Sequence, residues 1–170
     1  MAPRPDIEHK AGAPRSVRCF VLTFSDTRTE DTDASGRAIV ELLTRAGHAV
    51  AGRAIVKDEA NLMHDAMERQ LASPDLDAII TTGGTGITSR DSAYEVVTAL
   101  LQKRLDGFGE LFRMLSFEQI GPAAMMSRAC AGLSAGRVVI ALPGSESAVR
   151  LAMERLVIPE LGHLVQQASR

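Results

Sequence analysis

Four short apolar runs, rich in β-branched residues, alternate with segments of helical periodicity along this chain. The runs are RCFVLTF, the stretch from Val50 to Val56, DAIITT and RVVIAL. Strands that pair in parallel need a crossover connection, usually a helix, so this alternation predicts an α/β fold with a mainly parallel sheet and helices on both faces. In such sheets ligands bind beyond the carboxyl ends of the strands. The loops that follow the four runs are therefore the candidate binding loops.

The connecting segments show where helices begin and end. After the first run, apolar residues at helical spacing continue as far as Gly47, where a helix is expected to end. After the second run, a helix is expected to end before Ser73-Pro74. After the third run, helical spacing is interrupted by DGFG and then resumes. A further helix is expected to start at Gly121-Pro122 and to continue through Ala129.

The length and the first residues bound the domain organisation. A chain of 170 residues has the size of one domain. Residues 1–16 contain three prolines, mixed charge and little periodic apolar content, so we expect a flexible tail followed by one domain over residues 17–170. No apolar run approaches the roughly 20 residues of a membrane span, and the start lacks the apolar stretch of a signal peptide. We therefore expect a cytoplasmic protein without membrane contact.

Composition argues against several classes of partner. With 19 basic and 21 acidic side chains, the net charge of −2 does not favour a general grip on nucleic acid. There is no Trp and one Tyr, so a stacking platform for single-stranded nucleic acid is not expected either. Cys19 lies in the first apolar run and Cys130 in an Ala-rich run expected to be helical, and both are expected to be buried, reduced thiols.

The segment TTGGTGITSRD carries the strongest chemical signal. A predicted strand ends in Gly83, Gly84, Thr85 and Gly86, and a helix is expected soon afterwards. Without Cβ atoms, backbone N–H groups can converge on an anion, and the following helix N-terminus adds partial positive charge. No Gly-Lys-Ser/Thr follows, and Ser89 stands where GxGxxG needs its third glycine, so neither common nucleotide motif fits. A phosphate site is favoured over a simple tight turn.

Two aspartates follow the second and third strands. Asp58 and Asp91 each precede a predicted helix, and helix capping alone could explain either of them. Both nevertheless belong to loops on one rim of the predicted sheet, beside the glycine loop. Mg²⁺ is held in proteins by one or two carboxylates together with substrate oxygens. The pair therefore predicts Mg²⁺-dependent phosphoryl or nucleotidyl chemistry.

Further candidates lie on the same rim. Ser25 and Asp26 end the first strand, where turn formation is the alternative explanation. Pro143, Gly144 and Ser145 follow the last strand and are expected to form a second rim of the same pocket. Arg128, beside Ser127, is either an anion-binding guanidinium or a surface arginine near a helix end.

Taken in order, several segments of the chain resemble one family. The segments are VLTFSD, DTDASG, TTGGTGITSRD, MMSRACAG and ALPGSESAV. Their order is typical of the molybdenum cofactor biosynthesis family that contains MoaB and MogA, and the resemblance covers nearly the whole domain. FGELFRMLSFEQIG is similar to the MoaB branch in particular. The resemblance implies a three-layer Rossmann-like domain that binds molybdopterin, a pterin with a dithiolene and a terminal phosphate.

The resemblance also implies a reaction. Active members of the family adenylylate the molybdopterin phosphate with Mg-ATP and release pyrophosphate. Matched residue by residue, the family's acidic pair falls on Asp58 and Asp91, and its serine near the pterin falls on Ser127. The substrate phosphate can itself attack the α-phosphorus of ATP, so no side-chain nucleophile is required.

Departures from the family pattern keep alternatives open. Many relatives read RDVTPE where this chain has RDSAYE, so the Thr-Pro helix start is absent. Some MoaB proteins lack the acidic pair, whereas this chain keeps it, which favours an active adenylyltransferase. The alternatives are a non-catalytic molybdopterin-binding carrier or scaffold and, with less support, a nucleotide hydrolase similar to CinA.

The segment FGELFRMLSFEQIG also bears on assembly. It contains three phenylalanines and two leucines between polar residues, so part of its apolar area can be left over once the core is covered. Packing of all these side chains on the sheet is the alternative. The resemblance favours a homo-oligomer, a hexamer ahead of a trimer.

Overall fold

The structure, a computed structural model, describes residues 12–170. Residues 1–11 of the predicted tail lie outside this range. Residues 12–16 form neither helix nor strand. Pro14 lies against the C-terminal helix, since a Cβ added to Gly162 would come within 2.5 Å of the Pro14 carbonyl oxygen.

Six strands form one sheet in the order β2-β1-β3-β6-β5-β4. The strands are β1 (Arg18–Phe24), β2 (Ala49–Val56), β3 (Ala78–Thr82), β4 (Lys103–Arg104), β5 (Cys130–Ser134) and β6 (Arg137–Leu142). β1 pairs in parallel with β2 and β3, and β3 pairs in parallel with β6. The four predicted strands and their parallel arrangement are confirmed. β4 and β5 were not predicted, and they extend the sheet with antiparallel pairs at the β6 side.

Helices cover both faces of this sheet. They are α1 (Ala34–Arg45), α2 (Ala60–Leu71), α3 (Ala93–Leu100), α4 (Asp106–Ile120), α5 (Glu146–Ala152) and α6 (Ile158–Ala168). On one face Val21 and Ile80 pack in a cluster with Phe112 of α4. On the other face Leu22 packs in a cluster with Met63 of α2. Neighbouring strand residues thus enter different cores, and the predicted three-layer α/β architecture is confirmed.

The region between α4 and β6 differs from the prediction. The predicted helix through Ala129 is a short 3₁₀ helix, Gly121–Met126, and Cys130 begins strand β5. The helical prediction was wrong because it rested on alanine content, whereas pairing with β6 decides the conformation. DGFG does not interrupt a helix but forms the first turn of α4, where Gly109 leaves room for the Ala129 carbonyl oxygen, 2.8 Å from a Cβ added there.

The end of the chain is one long helical segment with an internal irregularity. α5 continues through a π-helical turn, Met153–Val157, into α6. Pro159 explains the irregularity, because it has no N–H to donate to the preceding turn.

Both cysteines are free and buried, as expected. Burial is the main cause that raises the pKa of Cys19 to about 12 and the pKa of Cys130 to about 11. Over residues 12–170, none of the helices combines the length and the apolar character needed to cross a bilayer.

The β5–β6 hairpin contains a strained residue. Ser134 pairs with Arg137 across a two-residue turn in which Ala135 has φ 49° and Gly136 has φ 73°. Positive φ at both central positions is typical of a type I′ turn, which favours Asn at the first of them. Left-handed backbone costs about 1 kcal/mol for alanine.

We therefore predict that Ala135→Asn raises the free energy of unfolding by about 1 kcal/mol, measured by urea denaturation. Ala72→Asn is the control, since Ala72 is also exposed but has φ −74°. The strain argument fails if the two variants change stability equally.

Candidate functional site

A cleft of about 350 Å³ opens where β1, β2, β3 and β6 end. Six of the predicted site residues line it, namely Ser25, Asp26, Asp58, Gly83, Gly84 and Gly144. It lies at the carboxyl ends of the parallel strands, where the sequence predicted it.

The glycine loop forms the floor of this cleft. Gly83 has φ 97° and Gly84 has φ 63°, in the left-handed region that favours glycine. A Cβ on Gly83 would lie 2.3 Å from the carbonyl oxygen of Phe24. A Cβ on Gly84 would lie 2.9 Å from Oδ1 of Asp58. Both positions therefore require glycine for its backbone angle and for its lack of a side chain.

Asp58 is held close to this loop without a partner for one of its oxygens. Its Oδ1 is buried and has no hydrogen-bond partner among residues 12–170. Burial raises the pKa of Asp58, the charges of Asp91 and Asp26 raise it further, and Arg90 opposes them. The N-cap of α2 is Glu59, so the capping explanation for Asp58 is wrong.

Asp91 has the opposite electrostatic environment. Its Oδ2 accepts hydrogen bonds from the Thr88 hydroxyl at 2.6 Å and from the Thr88 amide at 2.9 Å. The bond from the Thr88 hydroxyl lowers the pKa of Asp91 most, with smaller contributions from the amides of Thr88 and Gly86 and from the charge of Arg128, while burial opposes them. The N-cap of α3 is Ser92, so capping does not explain Asp91 either.

Asp26 connects the first loop to the second. One carboxylate oxygen of Asp26 accepts from the Asp58 amide at 3.2 Å, and the other pairs with Arg90. The Ser25 hydroxyl accepts from the amides of Thr27 and Arg28, at 3.2 and 3.1 Å, and so closes the turn after β1. The turn interpretation of Ser25 is confirmed, and the same serine also lines the cleft.

The surroundings of Asp58 and Asp91 favour the binding of a hard cation. The unpartnered oxygen of Asp58 and its repulsion by Asp91 would both be relieved by a positive ion. Within the described part of the chain, no three His, Cys, Asp or Glu side chains form a potential metal site. A cation here would therefore have two carboxylates and take its remaining ligands from water or substrate, which is the coordination that Mg²⁺ prefers.

The loop after the last strand reaches the cleft through Gly144, whereas Pro143 and Ser145 do not line it. The Thr82 hydroxyl donates to the Pro143 carbonyl at 2.8 Å, and the Ser35 hydroxyl donates to the Gly144 carbonyl at 3.0 Å. A Cβ on Gly144 would lie 3.3 Å from the Cα of Gly83, so the two loops are in close contact. Ser145 caps α5 by accepting from the Ala148 amide at 3.4 Å.

Arg128 lies behind the glycine loop, and Ser127 precedes it in the chain. Ser127 ends the 3₁₀ helix and does not line the cleft described above. Arg128 donates to the carbonyl oxygens of Thr85 and Gly86 and forms an ion pair with Glu95. The surface explanation for Arg128 is wrong, because its guanidinium is half-buried and bonded to the loop itself, whereas anion binding stays a prediction.

One basic residue of the cleft was missed in the sequence. Arg28 lines the cleft and donates to the Thr32 carbonyl at 3.1 Å. Nothing in the sequence distinguished it from other arginines in polar loops. Asp33 caps α1: it is fully buried and accepts from the Gly36 amide at 2.9 Å.

Comparison with known proteins identifies the family. Residues 20–163 match the family described as "Probable molybdopterin binding domain". Molybdenum cofactor biosynthesis protein B of Bacillus cereus is 51% identical over 164 residues, which are 96% of this chain and 97% of that protein. The corresponding protein of Bacillus subtilis is 49% identical, with 96% of each chain covered. The chain belongs to the molybdopterin-binding MoaB and MogA family.

Solved structures of this family have the same fold. A crystal structure of molybdenum cofactor biosynthesis protein B superimposes with a TM-score of 0.89 at 50% identity, covering 92% of this chain and 98% of the other. The tungsten cofactor synthesizing protein MoaB from Pyrococcus furiosus superimposes with a TM-score of 0.84 at 36% identity, covering 93% and 100%. A MogA structure gives a TM-score of 0.79 at 26% identity, covering 89% and 99%.

The departure from the MoaB and MogA pattern after Asp91 has a structural counterpart. α3 begins at Ala93 without the Thr-Pro start, and the Ala93 amide donates to the Gly84 carbonyl at 2.9 Å. Tyr94 lies beneath Arg128, whose guanidinium carbon is 5.0 Å from the ring centroid. The start of α3 is therefore fixed by the glycine loop and by Arg128.

The two aspartates should affect stability in opposite directions. The pKa of Asp58 is raised, so its ionisation opposes folding; this penalty is absent below its ordinary value of 3.8 and develops as the pH rises through the raised pKa. The pKa of Asp91 is lowered, so its ionised form contributes stability above 3.8 that is lost as the pH falls through the lowered pKa.

We predict that, at neutral pH and without divalent cations, Asp58→Asn raises Tm by about 1–2 °C, a small change because solvent screens much of the repulsion. Asp91→Asn lowers Tm under the same conditions, because the hydrogen bonds from Thr88 are weakened. Calorimetry at neutral pH and below pH 3.8 measures both effects, and both should shrink at the lower pH. A lower Tm for Asp58→Asn at neutral pH would contradict the assigned repulsion.

The glycine loop gives a second prediction. Gly84→Val should weaken molybdopterin binding by about tenfold or more, because the new side chain collides with Asp58 at the floor of the cleft. Gly47→Val is the matched control, since Gly47 also has positive φ, 86°, but has nothing within 4 Å of an added Cβ. Titration of both folded variants with molybdopterin measures the effect. Equal affinities of the two variants for molybdopterin would show that the glycine loop serves only as a turn.

Proposed function

We propose that this chain binds molybdopterin and adenylylates its terminal phosphate with Mg-ATP, releasing pyrophosphate. The observation that carries the proposal is the carboxylate of Asp58 against the glycine loop: one of its oxygens has no partner, and its pKa is raised by burial and by the charges of Asp91 and Asp26. A carboxylate held in this way is destabilising by itself. Such a cost is typical of a functional site rather than of a structural one.

In this proposal Asp58 and Asp91 hold Mg²⁺. When bound, Mg²⁺ supplies charge neutralisation at the transferring phosphoryl group. Thr88 holds the Asp91 carboxylate in place and favours its ionised, metal-binding form. The buried surroundings of Asp58 and its closeness to Gly84 hold the second carboxylate in place.

The remaining candidates bind and orient the two substrates. Within the loop from Gly83 to Gly86, the backbone N–H groups of Gly84 and Thr85, with the N-terminal turn of α3, hold phosphate oxygens. The Gly83 amide donates to the Leu142 carbonyl at 3.1 Å and the Gly86 amide to Asp91. Arg28 adds a positive charge within the cleft. The other proposed phosphate and substrate contacts are Ser25, Asp26, Pro143, Gly144 and Ser145, with Ser127 toward the pterin.

The bond changes need no side-chain nucleophile. An oxygen of the molybdopterin phosphate attacks the α-phosphorus of ATP, and the bond from that phosphorus to the bridging oxygen of pyrophosphate breaks. The protein positions the two phosphates in line and stabilises the charge that develops. The proposal includes a cytoplasmic location, where ATP is available.

Turnover should depend on both aspartates. We expect Asp58→Asn and Asp91→Asn each to remain folded and to lose Mg²⁺-dependent AMP transfer by about a hundredfold or more, because loss of a metal ligand removes charge neutralisation. The measurement follows transfer of AMP from ATP to molybdopterin, with Asp65→Asn on the exposed surface of α2 as the control. Wild-type turnover in either site variant would remove that residue from the proposed role. Binding of molybdopterin by the wild-type chain without AMP transfer would instead support a non-catalytic carrier.

We also propose that the chain assembles into a closed homo-oligomer, a hexamer ahead of a trimer. Six large apolar side chains of α4 and the following 3₁₀ helix are exposed, and we call them the α4 patch: Leu111, Met114, Phe117, Ile120, Met125 and Met126. Exposed apolar area of this kind is typical of an interface between subunits.

Light scattering coupled to size exclusion should give a multiple of the 18.2 kDa chain mass at micromolar concentration. Phe117→Glu should shift the mass toward the single chain, because it places a charge in the α4 patch. A single-chain mass for the wild type contradicts the assembly, and a stable trimer contradicts only the hexamer.

A further inference from the structure

The guanidinium of Arg128 closes the rear of the glycine loop. Its Nε donates to the Thr85 carbonyl oxygen at 3.0 Å, and one terminal nitrogen donates to the Gly86 carbonyl oxygen. The two terminal nitrogens also reach both carboxylate oxygens of Glu95 on α3. An arginine has five N–H donors in a planar fork. Nearly all of them are used within the protein, so little capacity remains for a ligand.

The same side chain ties the loop to α3. Glu95 and Tyr94 are neighbours in the first turn of α3; Glu95 pairs with the guanidinium and the Tyr94 ring lies beneath it at 5.0 Å. The Arg128 side chain is only 26% exposed, which strengthens these contacts by partial exclusion of water. Arg128 therefore fixes the loop and the first turn of α3 relative to each other.

The planar peptide bond means that anchoring these carbonyls also sets the direction of the neighbouring amides. The described residues contain no cis peptide bonds. In a planar trans peptide the carbonyl and the following N–H point in opposite directions. Holding the carbonyls of Thr85 and Gly86 against Arg128 turns the amides of Gly86 and Ile87 to the opposite side of the loop. Asp91 lies on that side, with its Oδ2 2.6 Å from a Cβ added to Gly86.

We propose that Arg128 is a positioning residue: it holds the segment from Thr85 to Gly86 so that the loop amides face Asp91, and it does not touch the substrate. This inference rests on the proposed AMP transfer only for its effect on turnover. Its effect on the loop exists without any ligand.

The substitution Arg128→Lys separates shape from charge. Lysine keeps the positive charge and the apolar stem, but its ammonium group cannot serve two carbonyls and a carboxylate in one planar fork. Arg104→Ala is the matched control, because Arg104 donates to the Tyr94 hydroxyl at 3.3 Å and contacts none of the loop carbonyls. The control removes a neighbour of Tyr94 without releasing the loop.

The first measurement is amide hydrogen exchange at Gly86 and Ile87 in the full chain without ligand. We expect exchange to be about tenfold faster in Arg128→Ala and Arg128→Lys and unchanged in Arg104→Ala. Unchanged exchange in folded Arg128 variants would overturn the proposal. If Arg128→Ala does not fold, Arg128→Lys and Glu95→Gln decide the outcome, since each weakens the same anchoring while leaving a polar side chain in place.

The second measurement separates kcat from KM for AMP transfer. A positioning role predicts that kcat falls by about 10- to 100-fold in Arg128→Lys while KM for ATP changes little. If Arg128 bound phosphate directly, Arg128→Ala would raise KM and Arg128→Lys would largely restore it, which contradicts the proposal. If the wild type transfers no AMP, the proposed reaction fails, while the exchange measurement still decides whether Arg128 positions the loop.

Discussion

The close approach of the glycine loop to the first two loops is the constraint on which the site depends. Gly83 passes so near the carbonyl of Phe24, and Gly84 so near the carboxylate of Asp58, that neither position can carry a Cβ. This approach brings the end of β3 against the ends of β1 and β2. It also buries one oxygen of Asp58 behind backbone that offers it no donor. The geometry that builds the cleft therefore also creates its electrostatic strain.

The two aspartates differ in how well their surroundings stabilise the negative charge. Asp91 is supplied with donors by Thr88 and by the loop, so it is ionised at little cost. Asp58 receives no comparable help and is repelled by Asp91 and Asp26. A site arranged only for stability would give Asp58 a donor or replace it. Its retention in this state is understandable if a cation completes the pair, which is how stability is commonly exchanged for function at active sites.

The sequence predicted the structural features that depend on local pattern. It did not predict those that depend on contacts between residues distant in the chain. The four parallel strands and the loops at their carboxyl ends followed from apolar runs such as RVVIAL. Strand β5 was missed, because Cys130–Ser134 is Ala- and Gly-containing and becomes a strand only by pairing with β6. Capping explained Asp58 and Asp91 equally well on spacing alone. Only the structure shows that Asp91 bonds to Thr88 and that Arg128 reaches a carbonyl 43 residues away.

The strand order shows where Asp58 and the α4 patch lie relative to the sheet. Asp58 follows β2, the first strand in the sheet order, whereas α4 lies between β4 and β5 at the other end of that order. The α4 patch and Asp58 therefore belong to connections at opposite ends of the sheet order, whereas Asp91 follows β3 near its middle. Arg128 follows the patch in the chain, two residues after the 3₁₀ helix that carries Met125 and Met126, and is in contact with the glycine loop. The residue that anchors Thr85 is thus joined through Ser127 to the segment that bears the exposed methionines.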